Sequence, residues 1–411
     1  MRKKILYLNH NDTHGGAAKG AYRLHRGFVK NGIDSKMLVK FKFTDDMSVE
    51  QYFLPYSKRH KMFNTYLRDD FYPRFSEQIG CVHSYNLKRT RVHELINKSD
   101  ADVVIMHWIG DDTIGIKELA KIEKPIIWRQ ADMWSVCGCE HYIMDESDTR
   151  HRNGYQVAMP EEDVDAWVWH KKQKYLKDLK NNCTFVSGSH WLADIVKDSK
   201  LYRGCDSRVI PSGLDLSQFR PLDKKSAKKL IGIDHRKTIL FGAHNALSDR
   251  RKGFDLLESA LERLSSSMDC KDIQLLIFGS SSKGSGKLYG FDATYLGVIQ
   301  NVEELVAIYS ASDVMVVPSR FDNLPFTAIE ALACGTPVAG FEIGGMPDII
   351  DSGVNGYLAK AFDVDDLSLG IQTLLFEKKD REINEECVQK SKVFDISRQV
   401  KSYMELIDEI L

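Results

Sequence analysis

Asp322 and Glu330 stand eight positions apart in the stretch RFDNLPFTAIEALACGTPV, which opens as a turn and closes as a buried helix running into a strand. Pro325 near the start and Gly335 past the end bracket about ten residues of helix. Glu330 then has Phe326, Thr327, Ala333 and Cys334 as its neighbours three and four positions away, none of them charged. A carboxylate on such a face needs hydrogen-bond donors, because a bare one costs several kcal/mol or takes up a proton. Two sources of donors fit. One is a partner on an adjacent strand or loop; the other is a bound vicinal diol, such as a ribose, whose two hydroxyls meet the two carboxylate oxygens. Asp322 and Asn323 lie in the preceding turn, where they can cap the helix and where backbone N–H groups can also face a phosphate or sugar.

A second group is cationic. In FGAHNALSDRRKGFDLL, Arg250, Arg251 and Lys252 directly precede a helix that begins near Gly253. Three cations at a helix N-terminus oppose the macrodipole, and an anion shared by both relieves the conflict. A diphosphate bound by Lys252, one arginine and the free helix N–H groups would be such an anion, and a solvated basic turn is the plainer alternative. The pair Gly15-Gly16 sits between the first strand and first helix, where glycine lets backbone approach a ligand closely. It is not the G-x-G-x-x-G fingerprint, so a dehydrogenase-type dinucleotide fold is poorly supported.

His107 ends one strand pattern, DVVIMHWIG, and Arg129 and Asp132 follow another, PIIWRQADMW. Cys137, Cys139 and His141 in CGCEHY invite a metal reading, but C-x-C spacing without a second pair argues against a zinc ribbon. Two Asp-x-Asp pairs, Asp163-Val-Asp165 and Asp363-Val-Asp365, read as helix starts, so no metal is expected in catalysis.

These residues need a scaffold with strand ends to stand on. Short β-branched runs alternate with helix-length amphipathic segments through most of the chain, the signature of parallel α/β sheets. Strands are expected at 5–8, 37–39, 103–106, 126–128, 184–186 and 209–210, then at 239–241, 275–278, 314–317 and 338–341. The 411-residue length favours two domains, and VIPSGLDLSQFRPLDKK marks a linker between them. Domains at 1–211 and 212–390 follow, with a closing helix at 391–411. Ligands in such sheets bind outside the carboxyl ends of the strands.

Residues 43–91 break the rhythm. From Ser57 to Arg91 there are eight Lys/Arg and three acids among aromatics, so 57–91 is either a solvated helical insertion or a peripheral membrane contact. The 57 basic and 58 acidic residues give a net charge of −1, and no nucleic-acid partner is expected from that balance. The first apolar run, Ile5–Leu8, is too short for a signal peptide, no stretch approaches a membrane span, and eight scattered cysteines suit a reducing compartment. The cytoplasm, on the inner face of the membrane if 57–91 touches it, is the expected location.

Taken together, the chain resembles family 4 glycosyltransferases of the GT-B fold, in which two doubly wound Rossmann-like domains face a cleft. The resemblance rests on Asp322-x7-Glu330 in place of E-x7-E, on GGMPDIIDSGVNGYL, on RRKGFDLL, and on VSGSHWLADIV with VIPSGLD. HWIGDD and WRQADMW resemble first-domain segments of polysaccharide-synthesis members. The resemblance implies a retaining, metal-independent transferase moving a sugar from a nucleoside-diphosphate sugar to a saccharide or polyprenyl-linked oligosaccharide, with no other cofactor.

It implies that Glu330 takes the ribose hydroxyls and that Asp322, Asn323 and Leu324 line the sugar and diphosphate. Lys252 and Arg251 would neutralise the departing diphosphate, and Gly15 and Gly16 would approach the donor from the opposite wall. His107, Arg129 and Asp132 would lie on the acceptor side, His107 and Asp132 helping catalysis, and the last helix would cross back to the first domain. Two departures stand out: Asp322 shortens the first arm of the pattern by a methylene, and Ala131 replaces a histidine common in the family. A nucleotide-sugar binding subunit with impaired catalysis and a nucleotide-sugar epimerase are the alternatives on the same fold.

Overall fold

A computed structural model describes residues 3–52, 76, 82–143, 147–243, 245–377 and 380–411. Two compact units emerge: 1–211 with 399–411, and 212–398. Most of the basic-aromatic stretch 57–91 lies outside the described residues.

The first unit is built on a seven-stranded sheet ordered β3-β2-β1-β4-β5-β6-β7. Its strands are β1 Lys4–Asn11, β2 Asp34–Phe41, β3 Val49–Gln51, β4 Val103–Met106, β5 Ile126–Gln130, β6 Cys183–Ser187 and β7 Ser207–Val209. Every pairing is parallel. Parallel sheets are covered on both faces, which is why β4 reads Val-Val-Ile-Met and is buried throughout. The helix Gly16–Lys30 packs Ala18, Ala21, Leu24 and Phe28 inward at three- and four-residue spacing. The closing helix, Ile396–Ile410, buries Val400, Tyr403 and Ile407, and the Tyr403 ring meets Phe28 edge-on at 6.3 Å.

The second unit repeats the plan with the order β10-β11-β9-β8-β12-β13-β14. Here β8 is Lys237–Gly242, β9 Ile273–Phe278, β10 Lys283–Leu288, β11 Phe291–Gly297, β12 Val314–Val317, β13 Val338–Phe341 and β14 Gly356–Ala359. All neighbours are parallel except β10 and β11, an antiparallel hairpin at the edge. β10, Lys-Gly-Ser-Gly-Lys-Leu, is exposed along nearly all its length and carries no apolar alternation, so the sequence pattern does not announce it. Residues 391–398, expected with the last helix, fall with the second unit: Phe394 is buried in its core and accepts the Leu214 N–H at 2.7 Å.

In each sheet the strand order reverses once, between β1 and β4 in the first unit and between β8 and β12 in the second. At such a switch point the loops leaving two neighbouring strand ends diverge and leave a crevice for ligand. Among the described residues no helix is long and apolar enough to cross a membrane.

Candidate active site

The second unit gathers its candidate residues at the carboxyl ends of β8, β12 and β13. Leaving β8, the chain makes a 3-10 turn, Arg250–Lys252, capped by Asp249, which accepts the Arg251 N–H. Gly253 then turns left-handed, at φ 68°, to start the helix Phe254–Ser267. A Cβ on Gly253 would lie 1.9 Å from the Pro318 carbonyl oxygen, so only glycine lets this turn pass against the end of β12. The Arg320 N–H donates to the Arg251 carbonyl at 2.7 Å, and the Gly345 N–H donates to the Asp322 carbonyl at 3.0 Å. Three loops are thereby stitched side by side.

Lys252 Nζ lies 2.6 Å from Asp322 Oδ2, which joins a residue after β8 to one after β12. Their side chains are 18% and 13% exposed, so the pair is sheltered but reachable. Arg251 pairs with Asp249 at 2.6 Å, and Arg320 makes two hydrogen bonds to Asp255 at 2.7 and 2.6 Å. Two of the three cations at the helix start, Arg251 and Lys252, are therefore paired with protein carboxylates, where the sequence left open a bound anion or a solvated basic turn. Arg320 is a member of this cluster that spacing did not single out.

Glu330 sits in the helix Phe326–Ala333 and is 8% exposed. Tyr309, at the end of the helix Val302–Ala311, donates its hydroxyl to Glu330 Oε2 at 3.0 Å. Burial and this carboxylate push the Tyr309 phenol well above its ordinary range, so it stays a donor. The acid in the greasy segment thus has a neutral protein partner on a neighbouring helix. Nothing in the sequence around Tyr309 links it to a residue 21 positions away. Asn323 and Leu324 are both buried, and Leu324 belongs to the core.

In the first unit the loop after β1 and the loops after β4 and β5 hold the remaining candidates. Gly15, at φ 87°, caps the helix Gly16–Lys30, and a Cβ there would meet nothing within 4 Å. That fifteen-residue helix begins without an acidic residue in its first turn, which leaves its N–H groups suited to an anion.

His107 is buried, and desolvation with the nearby Arg129 lowers its pKa well below the usual imidazole value, so it is neutral. Arg129 is 2% exposed and donates to the Gln130 carbonyl at 2.9 Å; its guanidinium lies where a Cβ on Gly188 would collide at 2.7 Å. This arginine is a core cation among Tyr7, Tyr403 and His107, and within its unit it offers no surface to an acceptor.

Asp132 collects three donors. Trp108 Nε1 and His141 Nδ1 meet Oδ2 at 2.9 and 2.6 Å, and the Trp134 N–H meets Oδ1 at 3.0 Å. Burial pushes this carboxyl up, but His141 and the N–H donors outweigh it and hold the pKa below the usual value. His141 stacks on Trp108 at 5.2 Å, and its Nε2 meets Ser84 Oγ at 2.8 Å. His107, Trp108, Asp132, Trp134 and His141 line one narrow cavity. His141, which the sequence placed only in a rejected metal trio, is thus tied to Asp132.

Both Asp-x-Asp pairs start helices. Asp163 accepts the Ala166 N–H and Asp363 the Asp366 N–H, while Asp365 pairs with Arg263.

Residues 236–377 match the family model described as glycosyl transferases group 1. That segment is about a third of the chain and contains the second sheet with its candidate residues. It is 34% identical over 179 residues to the D-inositol 3-phosphate glycosyltransferase of Mycobacterium sp. (strain KMS), covering 41% of this chain and 39% of that one. The enzyme of the same name from Corynebacterium jeikeium (strain K411) is 30% identical over 187 residues, 42% of this chain and 44% of its own. The chain thus spans about two-fifths of the length of these relatives.

Among solved structures, sucrose-phosphate synthase from Thermosynechococcus elongatus aligns with TM-score 0.67 and 18% identity over 100% of this chain and 99% of its own. Anabaena HepE, in complex with UDP-glucose, aligns with TM-score 0.65 and 13% identity over 99% of both chains. These likenesses are of fold, and they give the chain the two Rossmann-like domains of GT-B proteins.

Proposed function

We propose that the chain transfers a sugar from a nucleoside-diphosphate sugar to a saccharide or polyprenyl-linked acceptor, with retention at the anomeric carbon and without a catalytic metal. The observation that carries this reading is the Lys252–Asp322 pair at the switch point of the second sheet, beside the helix that bears Glu330. The match of residues 236–377 to the glycosyl transferases group 1 model and the UDP-glucose bound to HepE support it.

In this reading Glu330, oriented by the Tyr309 hydroxyl, accepts hydrogen bonds from the ribose hydroxyls. The diphosphate lies at the ends of β8 and β12, where Lys252 exchanges part of its contact with Asp322 for a phosphate oxygen, and Arg251 adds charge. As the bond from the anomeric carbon to the phosphate oxygen breaks, negative charge grows on the diphosphate. A fixed cation then contributes more than in the ground state, typically about 10²–10³ in rate for one such group. The acceptor oxygen forms its bond on the same face, and its proton passes to the departing phosphate oxygen.

In the first unit, Gly15 and the helix start behind it are suited to negative charge. Asp132 orients His141 and Trp108, which makes it a positioning residue. Both Asp-x-Asp pairs are engaged as helix starts, which supports transfer without a divalent ion. Reducing cytoplasm suits its buried cysteines, such as Cys334 and Cys387.

The test is release of nucleoside diphosphate from UDP-, GDP- and ADP-sugars with and without saccharide acceptors, after brief EDTA treatment. Acceptor-dependent release that survives EDTA is expected. Binding without release would make the chain a nucleotide-sugar binding subunit, sugar interconversion without acceptor would make it an epimerase, and loss on chelation restored by magnesium would refute metal independence.

A further inference from the structure

The loop after β5 carries a feature that sugar transfer does not use. Its Cys137-Gly138-Cys139-Glu140 run lies directly on the first turn of the helix Val164–Leu176. A Cβ on Gly138 would sit 2.1 Å from the Asp165 carbonyl oxygen, so glycine is what permits the approach. Lys172, two turns further along that helix, grips the loop by donating to the carbonyls of Trp134, Cys137 and Gly138.

Held in this way, Cys139 Sγ lies 2.7 Å from Asp165 Oδ1. His83 bridges through its backbone to Glu140, and its Nε2 lies 3.9 Å from the same Asp165 oxygen. One donor atom from each of His83, Cys139 and Asp165 lies within 4.8 Å of the others. Cys139, Glu140 and Asp165 are fully buried. Glu140 accepts from the Tyr155 hydroxyl through one oxygen, and its Oε2 has no hydrogen-bond partner among the described residues.

Two carboxylates, a thiol and an imidazole enclosed together need either protons or a cation. Ser76 Oγ, 2.7 Å from both His83 Nε2 and Asp165 Oδ2, supplies one hydroxyl proton to this set. The Ser76 and Tyr155 hydroxyls, the Cys139 thiol and the nearby Lys172 ammonium answer part of this demand, but Glu140 Oε2 keeps no partner among the described residues, and a divalent ion in the cluster would supply one. Thiolate with imidazole and carboxylate is a donor set of zinc, whose bonds of about 2.0–2.3 Å place tetrahedral ligands about 3.3–3.8 Å apart. The spacing found here reaches that with small side-chain movements.

We propose that His83, Cys139 and Asp165, with Glu140 completing the set, bind one structural zinc(II) ion. Binding releases the Cys139 thiol proton to solvent as the thiolate coordinates. The ion ties the His83 segment, the loop carrying Asp132 and His141, and the helix Val164–Leu176 into one piece. The Cys137–Cys139–His141 trio is not the ligand set, because His141 is committed to Asp132 and Ser84.

The experiment is metal analysis of the full-length chain, purified without metal-affinity steps. Wild type should carry about one zinc per chain, Cys139→Ser and His83→Ala less than about a tenth, and Cys334→Ser, in the second unit, about one. Should the first two variants fail to fold, metal-stripped wild type titrated with cobalt(II) decides the matter. A thiolate-to-cobalt absorption band that saturates at about one equivalent and is displaced by zinc is expected. Zinc-free wild type that develops no such band, or Cys139→Ser that retains its zinc, would overturn the proposal.

Discussion

Replacing Lys252 by alanine separates the two things this lysine is asked to do. In the free protein its ammonium lies 2.6 Å from Asp322, with both side chains less than one-fifth exposed. At that distance and an effective dielectric of about 20, the gross attraction is about 6 kcal/mol, most of it offset by desolvation. An incoming diphosphate must therefore compete with Asp322 for the lysine, and ground-state binding gains little from it. The alanine variant should weaken nucleoside diphosphate binding by less than about tenfold, measured by calorimetry.

Turnover is a different matter, because the competition shifts towards the phosphate as charge develops on it. The same variant should lose about 10²–10³ in kcat, equivalent to about 2.7–4 kcal/mol. Asp322→Asn frees the lysine and should tighten nucleoside diphosphate binding by about threefold to tenfold while impairing transfer. Equal losses of binding and turnover in Lys252→Ala would reduce the lysine to a binding residue. Weaker diphosphate binding in Asp322→Asn would refute the competition itself.

Three further outcomes follow from particular contacts. Glu330→Gln should weaken ribonucleoside diphosphate binding by about tenfold yet leave the 2′,3′-dideoxy analogue unaffected, since the charged acceptor acts through the sugar hydroxyls; equal losses for both nucleotides would contradict this. Gly253→Ala combines positive φ with a Cβ 1.9 Å from the Pro318 oxygen and should cost about 2–4 kcal/mol in urea denaturation of the full chain; a neutral result would contradict the stitched-loop geometry.

His25, between Ser35 and Ser48 at 2.8 and 2.9 Å, has its pKa lowered from 6.5 to about 4 by burial. The unfolded chain binds the extra proton between those values, so stability is full above pH 6.5 and falls towards pH 4, by up to about 3 kcal/mol. His25→Gln should flatten that fall, although His151, lowered to about 4 by burial as well, keeps part of it. An unchanged slope would refute the assignment.

Where burial on both faces dictates a continuous apolar run, the sequence shows the strand directly. Val314–Val317 and Val338–Phe341 are found at the limits expected. The hairpin of β10 and β11 and the short β14 escape that logic. β10 is polar and exposed, and β14 is a four-residue edge strand, Gly-Tyr-Leu-Ala. At the candidate site, Asp322, Glu330 and Lys252 stand out because each conflicts with its local surroundings: an acid in a greasy helix, or a cation at a helix start. Their partners do not stand out. Asp322 is 70 residues from Lys252 and Tyr309 is 21 from Glu330, and only the parallel strand order carries these residues together. For the same reason Cys139 shows no sign in the sequence of His83 or Asp165.

The most direct measurement is a crystal structure of the chain with an intact nucleoside-diphosphate sugar. The account predicts the diphosphate within hydrogen-bond reach of Lys252 Nζ and both ribose hydroxyls on the Glu330 carboxylate. A donor bound elsewhere, with Lys252 still closed on Asp322 and Glu330 touching no nucleoside, would contradict it.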